Sequence, residues 1–495
     1  MERNNRREFL KKVTAISTGL IFAPDLISGS QNSLSIKPLT RKFGKINFQV
    51  TTMGLGGQAS LQWTPPDVDP VKIIEKAFRM KLNYFDTSNV YGQSQLNYGK
   101  AFRKLNLIPG EVNYNKELRD SIFLTSKSGL RLAKGYKKRK EVKDMTEGDF
   151  NAGCVGDLKR SLSQIFGDGK GYYPEGSYLN LFLLHNVETM EDVETAYKAL
   201  DNPSPEMEEI GFLAAITDYR DGTNKTGLNP QNEKLIRHIG FSAHKQAPVI
   251  MEMIQRDTNN ILDALLLPIN SNDLLYRNMQ YNVLPLTTAK NMGVIAMKVF
   301  ANGLMYGKKN RGEVIRTVGN STLQSELLIK YTLATPGVHT VIIGIGEIND
   351  DYRKCQLVSN LNAAQIKPGV LSAAGRKDIE NSTSTILGGK TNDFQSFGNE
   401  LTPPKNVNVE KMMGESKKMK IAIRWDNALS GTSQISHYEI YRDSKLIATY
   451  SYKPQISKTP FSFIDVLKKG ENPEYIITVV DINGNKVSSE PRMIS

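Results

Sequence analysis

The chain has 495 residues, a length that favours two or three domains over one hydrophobic core. Hydrophobic residues make up 39% and charged residues 23%, as in a soluble globular protein. The net charge of +13 could indicate nucleic-acid binding, but the basic residues are scattered. The one dense run, residues 134–143, is typical of a solvated loop, so nucleic acid is not expected as a partner.

The first 35 residues predict an export signal. Residues 1–12 carry five basic and two acidic side chains, and a modestly apolar stretch follows that is too short and too rich in Ser and Thr to span a bilayer. The run Arg6-Arg7-Glu8-Phe9-Leu10-Lys11 resembles the twin-arginine export signal, and a basic amphipathic helix is the alternative. The resemblance implies a bacterial protein that is exported folded, often with its cofactor, to the periplasm or the medium. No stable membrane anchor is expected after cleavage.

Residues 36–374 alternate short apolar runs with amphipathic segments. Several runs are unbroken, as in strands that are covered on both faces. The eight runs are FQVTTMGLG, NYFDTS, SIFLTSKSG, LNLFLLHN, IRHIGFSAH, ALLLPIN, VIAMKVFA and TVIIGI. The alternation predicts an α/β fold, a closed parallel (β/α)8 TIM barrel. A doubly wound sheet is the alternative, but its GxGxxG fingerprint is absent, since MGLGGQAS does not fit it.

The remaining stretches predict an insertion, a linker and a second domain. Residues 202–233 are polar and rich in Pro and Gly, which predicts an insertion before the fifth strand. Residues 375–403, rich in Ser, Thr, Asn and Gly, predict a linker. Residues 404–495 form short alternating runs, typical of a small all-β immunoglobulin-like sandwich.

The order of features in this last domain resembles a fibronectin type III domain. Trp425 comes early, followed by HYEIYRD and EYIITVVDINGN. The resemblance implies that Trp425 packs against the facing sheet and that Tyr475 takes the corner-tyrosine role. Such modules are mostly spacers or interaction platforms, so a surface or carbohydrate partner could bind here, and no chemistry is assigned to the domain.

The chain has two cysteines, Cys154 and Cys355, without a CxxC spacing or a nearby His cluster. This pattern argues against a structural zinc site or an iron–sulfur cluster, and no metal site is predicted. Buried free thiols are favoured over a disulfide.

Four polar residues close apolar runs on consecutive predicted strands. Asp86, with Tyr91 five residues later, ends the second strand; Lys127 ends the third; and His185 ends the fourth. Barrel enzymes carry their chemistry at the C-terminal ends of strands, so these side chains are expected to meet. Each has an alternative role: a turn cap for Asp86, a loop lining for Tyr91, a surface cation for Lys127 and a rim residue for His185.

The types of these four residues suit proton transfer. A tyrosine with its ordinary pKa near 10 is a poor proton donor at neutral pH, and a buried cation beside it lowers that pKa. A buried lysine needs a counter-charge of its own, which Asp86 can supply. We therefore expect Asp86 to hold Lys127, Lys127 to tune Tyr91, and His185 to orient a substrate oxygen.

The set resembles the catalytic tetrad of the aldo-keto reductase family, in the same chain order and on the same strands. FDTSNVYG is similar to the family's DTA-x-x-YG signature, and TSKSG, LLHN, GLGG, IGFSAH and GVIAMKVFANG match neighbouring blocks. The resemblance covers roughly residues 42–360. It implies that reduced nicotinamide passes hydride to a carbonyl carbon while Tyr91 protonates the oxygen.

The resemblance also implies a set of cofactor-binding residues, namely Ser242, Asn270, Met297, Lys298, Gly344, Gly346 and Glu347. The match departs from the family at Ala243, where Asn is common, and at Leu266, where Gln is frequent. The acidic run after Gly346 favours a ribose hydroxyl over a 2′-phosphate, although Arg353 or Lys354 could meet the phosphate. The choice between NAD and NADP is therefore open.

These features predict an exported NAD(P)-dependent oxidoreductase that acts on a small-molecule carbonyl or alcohol, for which a sugar is one candidate. The alternative is a catalytically retired barrel that binds carbohydrate or a surface partner. A third role of this fold, as a potassium-channel regulatory subunit, is disfavoured by the export signal.

Overall fold

Eight parallel strands close into a barrel in the computed structural model, which describes residues 37–135, 153–308, 312–316, 323–412 and 418–494. The predicted export signal and most of the basic run at 134–143 lie outside the described residues. The barrel strands, numbered first to eighth below, are Met53–Leu55, Tyr84–Asp86, Phe123–Ser128, Leu179–Leu184, Ile236–Ser242, Leu262–Pro268, Gly293–Met297 and Thr340–Ile343.

Each barrel strand pairs in parallel with the next, and the eighth closes on the first through Val341 and Met53. All eight predicted runs supply a strand, so the predicted TIM-like barrel is confirmed. The strands are short and nearly all of their residues are buried, because helices cover the outer face and side chains fill the interior.

Helices surround the barrel, and local sequence sets their ends. The helix Pro70–Arg79 begins after Asp69, whose carboxylate accepts hydrogen bonds from the backbone N–H groups of Val71 and Lys72. The other α-helices are Ser94–Lys104, Lys116–Asp120, Gly153–Phe166, Met190–Ala196, Phe212–Asp221, Ala247–Gln255, Met279–Asn282, Leu284–Ala289, Ser325–Ala334, Gln356–Ala363 and Ala373–Ser384. Short 3-10 helices occupy Ala59–Leu61, Asp273–Leu275, Ala301–Tyr306 and Ile386–Gly389.

A hairpin closes the N-terminal end of the barrel. Strands Thr40–Lys42 and Gln49–Thr51 pair antiparallel, and Phe43 between them is fully buried. Its ring centroid lies 6.0 Å from that of Tyr84 and 5.3 Å from that of Phe123, both inside the barrel. The interior is thus filled from this end, and the open end of the barrel is the one where the strands terminate.

Part of the predicted insertion at 202–233 is regular structure. Ile210–Gly211 pairs with the strand Leu132–Lys134, and the helix Phe212–Asp221 follows at once. This helix buries Phe212, Ala215 and Ile216 among other residues and ends at Gly222 with φ 71°. The stretch is therefore irregular only on either side of this short strand and helix. Because the flanking residues are rich in Pro and Gly, the sequence did not predict the helix.

The segment predicted as a linker, 375–403, is folded onto the barrel. It continues the helix Ala373–Ser384 and then runs through Thr391 and Asn392, both fully buried. Asn392 and Asn270 bond each other through their amide groups, at 2.9 and 3.0 Å. Residues 373–399 are called the arm below. The arm attaches through polar side chains, which give it the composition of a linker.

The C-terminal residues form two antiparallel sheets. The three-stranded sheet holds Lys405–Lys411, Lys418–Asp426 and Phe461–Lys468, and the four-stranded sheet holds Lys445–Ser451, Ile435–Arg442, Tyr475–Asp481 and Lys486–Ser488. Trp425 of the first sheet is fully buried against Tyr438 and Tyr450 of the second, with ring centroids 5.8 and 5.3 Å apart. The Tyr475 hydroxyl donates to the Asp465 carboxylate at 2.7 Å.

Hydrogen bonds join the barrel to the C-terminal sheets. The side-chain amide of Asn278 donates to the Gly431 carbonyl at 2.8 Å, and the side-chain oxygen Oδ1 of Asn282 accepts from the Ser430 backbone N–H at 2.8 Å. Since these contacts are buried and directional, they define how the two units meet.

Three further observations concern classes of protein and site. No helix within the described ranges has the length and apolar character needed to cross a membrane. Cys154 and Cys355 are both buried and unbonded, which confirms the free thiols. Among the described residues, no group of three or more His, Cys, Asp or Glu side chains could hold a metal ion.

Candidate active site

Asp86 and Lys127 meet at the ends of the second and third barrel strands. These strands are parallel neighbours with Asp86 opposite Thr125, so Lys127 lies two residues further along on the same face. The Lys127 ammonium donates to the Asp86 carboxylate at 2.7 Å and to the Thr87 carbonyl oxygen at 2.7 Å. The predicted ion pair is therefore present.

Burial acts on both members of this pair. It raises the pKa of Asp86 and lowers the pKa of Lys127, since each charged form loses its hydration. Their mutual attraction opposes both shifts. The attraction between the two charges therefore stabilises both of them inside the barrel, where hydration is lost. The pair lies beside the residues that face the open end.

Tyr91 lies above this ion pair, in the loop after the second strand. The Lys127 ammonium lies 4.7 Å from the centroid of the Tyr91 ring, and the His185 ring centroid is 5.8 Å away at an angle of 78°. Gly57 permits the loop to pass closely, because a Cβ there would lie 2.4 Å from the Asp86 carbonyl oxygen. The four predicted catalytic residues are therefore brought together.

The protonation of Tyr91 differs from the sequence expectation. Burial, and then the Asp86 charge, raise the pKa of Tyr91 well above its usual value of 10. The expected lowering by Lys127 is absent, because the ammonium lies over the ring and is bonded to Asp86. Tyr91 therefore carries its proton at neutral pH, but the raised pKa makes its phenol a weaker acid than the sequence predicted.

His185 is neutral in the same setting. Burial lowers its pKa well below 6.5, and the nearby Lys127 charge adds to this effect. A neutral imidazole can donate one hydrogen bond and accept another, which suits the orientation of a polar substrate group.

A cavity of about 610 Å³ opens at the C-terminal ends of the barrel strands. Its walls include Asp86 and Tyr91 on one side and Met297, Lys298 and Gly344 on another. Trp63, Phe300 and Tyr306 supply aromatic surface. A largely preformed cavity with a few convergent polar groups is the usual setting of a small-molecule site.

Three of the seven predicted cofactor residues line the cavity, and Ser242, Asn270, Gly346 and Glu347 do not. Met297, Lys298 and Gly344 line the cavity. Ser242 and Asn270 are fully buried outside its lining: the Ser242 hydroxyl accepts from the Asn186 backbone N–H at 3.0 Å, and the Asn270 amide bonds Asn392. The Asn270 amide, which was expected to contact a cofactor, therefore bonds to the arm instead.

The glycines near the eighth strand leave room for backbone contact. A Cβ on Gly56 would lie 3.0 Å from the Gly344 nitrogen, and one on Gly344 would lie 3.0 Å from the Ala59 Cβ. Gly346 is crowded by the Ile315 carbonyl oxygen and donates its N–H to the Gln356 side chain at 2.8 Å. These glycines are therefore needed for the close packing of the protein's own backbone, and Gly344 in addition lines the cavity.

Glu347 lies just beyond these glycines in an ion-pair cluster. Its carboxylate is 3.4 Å from the Arg316 guanidinium, which also contacts both oxygens of Asp67 at 2.6 and 2.7 Å. Arg316 lowers the pKa of Asp67 to about 2. The arginine of this cluster is thus matched by two carboxylates.

Several residues that line the cavity were not predicted from the sequence. Gln356 and Asn360 lie four apart on the helix that follows the eighth strand, and both are buried polar side chains facing the cavity. Polar residues at helical spacing on an otherwise apolar face were the available signal. His244, directly after the segment Ser242–Ala243, and Asp393 of the arm also line the cavity.

Comparisons with known proteins agree with this architecture. The model of the aldo/keto reductase family matches residues 51–367. No curated protein matches the chain. The chain is similar to the crystal structure of an aldo/keto reductase from Klebsiella pneumoniae in complex with NADP and acetate, at 18% identity and a TM-score of 0.40 over 70% of this chain and 95% of that one. It is also similar to an aldo-keto reductase from Bombyx mori in complex with NADP, at 15% identity and a TM-score of 0.43 over 70% and 93%.

Proposed function

The chain belongs to the aldo/keto reductase family of oxidoreductases, and on that premise we propose that it transfers hydride between a nicotinamide dinucleotide and a carbonyl or alcohol, with Tyr91 as the general acid and base. The observation that carries the proposal is the position of Tyr91, protonated at the cavity wall beside a buried Asp86–Lys127 pair and a neutral His185. A positioned general acid contributes about 10²–10⁴-fold to the rate.

Each residue has a separate part in this reaction. His185 orients the substrate oxygen, and Tyr91 gives its phenolic proton to that oxygen as negative charge develops there. Lys127 lies over the Tyr91 ring, and Asp86 holds Lys127 in place. In the oxidative direction the phenolate takes the proton back.

The cofactor would be held by the remaining walls of the cavity. The cavity lining includes Met297, Lys298, Gly344, Gln356 and Asn360. When bound, the nicotinamide supplies or accepts the hydride. Because Glu347 and Asp67 surround Arg316, we propose that the protein prefers NAD, whose ribose hydroxyl suits a carboxylate better than a 2′-phosphate does.

The proposal also covers the substrate class, the cellular location and the C-terminal domain. A sugar is one substrate class that suits a cavity with polar and aromatic walls. The twin-arginine resemblance supports export, and changing Arg6 and Arg7 to Lys together should keep the protein in the cytoplasm. The sheets of three and four strands and the buried Trp425 support a fibronectin type III-like domain, which would serve as a spacer or interaction platform.

The first experiment uses the full chain purified without added nucleotide. The protein is denatured and any released nucleotide is identified by chromatography and absorbance, and the native protein is titrated with NADH and NADPH. Released or bound nucleotide, with aldehyde-dependent oxidation of the reduced form, is the expected result. A protein that neither carries nor binds either nucleotide would contradict the proposal and favour a retired barrel with a binding role.

A further inference from the structure

A second histidine with a carboxylate partner lies on the cavity wall. His244 follows the fifth barrel strand and lines the same cavity as Tyr91. Its Nδ1 lies 3.2 Å from the Glu188 carboxylate and also contacts the side-chain oxygen of Asn186. The His244 side chain is 15% exposed and that of Glu188 is 11% exposed. This arrangement is separate from the four residues described above.

The partners of His244 determine which of its nitrogens carries the proton. The Glu188 carboxylate and the Asn186 carbonyl oxygen are both acceptors, so Nδ1 must be the donor. Burial lowers the pKa of His244, an effect that the Glu188 bond opposes, and the ring is neutral at pH values above 6.5. In a neutral ring protonated at Nδ1, Nε2 is an acceptor. Within the described ranges, no residue hydrogen-bonds to Nε2.

Backbone groups fix both partners. The Glu188 carboxylate accepts the N–H groups of His244 at 3.2 Å and Lys245 at 3.0 Å. Asn186 adopts a left-handed conformation with φ 68°, and its N–H donates to the Ser242 hydroxyl at 3.0 Å. Holding a ring in one tautomer and one orientation through such contacts is typical of a preorganised site.

A second residue with acceptor oxygens lines the same cavity. Asp393 of the arm contributes to the lining, as His244 does, and so do the aromatic residues Trp63 and Phe300. Acceptors combined with aromatic surface suit a ligand that has hydroxyl groups and a carbon skeleton. A purely apolar carbonyl compound would leave both acceptors without a donor once water is displaced, which is unfavourable.

We propose that Glu188 and Asn186 hold His244 so that its Nε2 accepts a hydrogen bond from a hydroxyl group of the substrate, which makes the protein selective for hydroxylated carbonyl compounds. The proposal rests on the proposed reductase function and assigns the specificity of the same cavity. Two groups can supply the hydrogen-bond donor to Nε2, namely a hydroxyl group of the substrate and the carboxamide of a nicotinamide. The test below separates the two sources.

The test compares lactaldehyde with propanal, which have the same three-carbon skeleton and differ by one hydroxyl. Steady-state kcat and KM are measured for wild type, His244→Leu and Glu188→Gln with the full chain. Wild type should prefer lactaldehyde by about two- to tenfold in kcat/KM, the size expected for one neutral hydrogen bond. His244→Leu should remove this preference, mainly by raising the KM of lactaldehyde, while the KM of propanal stays the same or falls because no acceptor is left without a donor. Glu188→Gln should remove part of the preference.

A matched control variant is His238→Leu. Like His244, His238 has its Nδ1 3.2 Å from a carboxylate, that of Asp263. His238 lies within the fifth strand, near its N-terminal end, whereas His244 follows the C-terminal end. It should retain the preference for lactaldehyde. Melting temperatures of all variants, and their dissociation constants for NADH and NADPH from fluorescence titration, are measured alongside.

Four outcomes would overturn the proposal. Equal losses for lactaldehyde and propanal in His244→Leu, together with weaker nucleotide binding, would assign Nε2 to the nicotinamide carboxamide. A preference that survives in a folded His244→Leu variant would show that His244 does not contact the hydroxyl. A wild type that binds nucleotide and reduces both aldehydes equally would refute the selectivity but retain the reductase function, whereas a wild type that binds no nucleotide would refute the reductase function as well.

Discussion

The Lys127 ammonium lies 2.7 Å from the Asp86 carboxylate, and neither side chain is more than 1% exposed. The same ammonium is bonded to the Thr87 carbonyl oxygen, at the start of the loop that carries Tyr91. The ion pair therefore both neutralises a buried charge and fixes the loop that presents the phenol. Removing one partner should affect stability as well as activity, because the other charge remains buried.

We predict that Lys127→Met lowers the free energy of unfolding by about 3–5 kcal/mol, because Asp86 is left with an unpaired buried charge. The double variant Asp86→Leu/Lys127→Met should be destabilised less than Lys127→Met alone. Urea unfolding can be followed by the fluorescence of Trp63 in a Trp425→Phe background, which confines the signal to the barrel.

The control for this prediction is an exposed pair. Lys116 and Asp120 also form an ion pair, but their side chains are 75% and 46% exposed. Lys116→Met should therefore change the stability by no more than about 1 kcal/mol. A Lys127→Met variant as stable as Lys116→Met would show that the buried pair is not charged in the folded protein.

We predict that Tyr91→Phe lowers kcat for carbonyl reduction by about 10²–10⁴-fold while leaving nucleotide binding intact, because only the phenolic proton is lost. Stopped-flow or steady-state assays, with nucleotide titration, measure the two effects separately. Tyr98→Phe is the matched control: Tyr98 is fully buried nearby, and its hydroxyl has no hydrogen-bond partner among the described residues. Full activity in Tyr91→Phe would remove Tyr91 from the mechanism.

The pKa shifts predict a broad pH range for reduction. The raised pKa of Tyr91 keeps its proton in place up to pH 10, and the lowered pKa of His185 keeps that ring neutral down to pH 6.5. The kcat/KM for reduction should therefore stay constant from about pH 6.5 to pH 10, with no decrease near the ordinary pKa of tyrosine. A decrease with a midpoint near pH 8 that disappears in Tyr91→Phe would show a lowered phenol pKa instead.

The carboxylates of Glu347 and Asp67 around Arg316 predict the cofactor preference. Glu347→Lys should shift the ratio of kcat/KM values toward NADPH, because it removes one carboxylate from Arg316 and adds a cation. Glu326→Lys, an exposed change on the helix Ser325–Ala334, serves as the control for added charge. An unchanged ratio in Glu347→Lys would show that this loop does not contact the adenosine ribose.

The barrel and the convergence of the four predicted catalytic residues were predictable because each depends on a local pattern. Every barrel strand is an apolar run in the sequence, and Asp86, Lys127 and His185 each close one of these runs. Once the strands are ordered in a parallel barrel, their ends must converge. The packing of Trp425 between the C-terminal sheets was instead implied by the resemblance to a fibronectin type III domain.

The features that were missed depend on orientation or on distant partners. The pKa of Tyr91 depends on whether Lys127 meets its hydroxyl or its ring, which strand order does not decide. Glu188 and His244 lie 56 residues apart, and neither has a distinctive neighbourhood in the sequence. The arm is attached by asparagine and threonine side chains, so its composition resembles that of an exposed linker.

We predict that the arm shapes the cavity and that Asn392→Ala will show it. The Asn392 amide bonds Asn270 in both directions and donates to Gln395 at 2.6 Å, all in buried surroundings. Truncation leaves the Asn270 amide partly unsatisfied, which should cost about 1–3 kcal/mol in unfolding free energy. Since Asp393 follows directly and lines the cavity, the KM for substrate should rise while nucleotide binding stays unchanged.

Asn381→Ala tests whether this effect is specific to the buried contact. Asn381 belongs to the same arm, on the helix Ala373–Ser384, but its side chain is exposed. It should leave both the stability and the KM at wild-type values, because no buried polar group loses its partner. If Asn392→Ala lowers stability yet keeps the wild-type KM, the arm holds the fold together without contributing to the substrate site, since loosening its attachment would then leave the cavity wall in place.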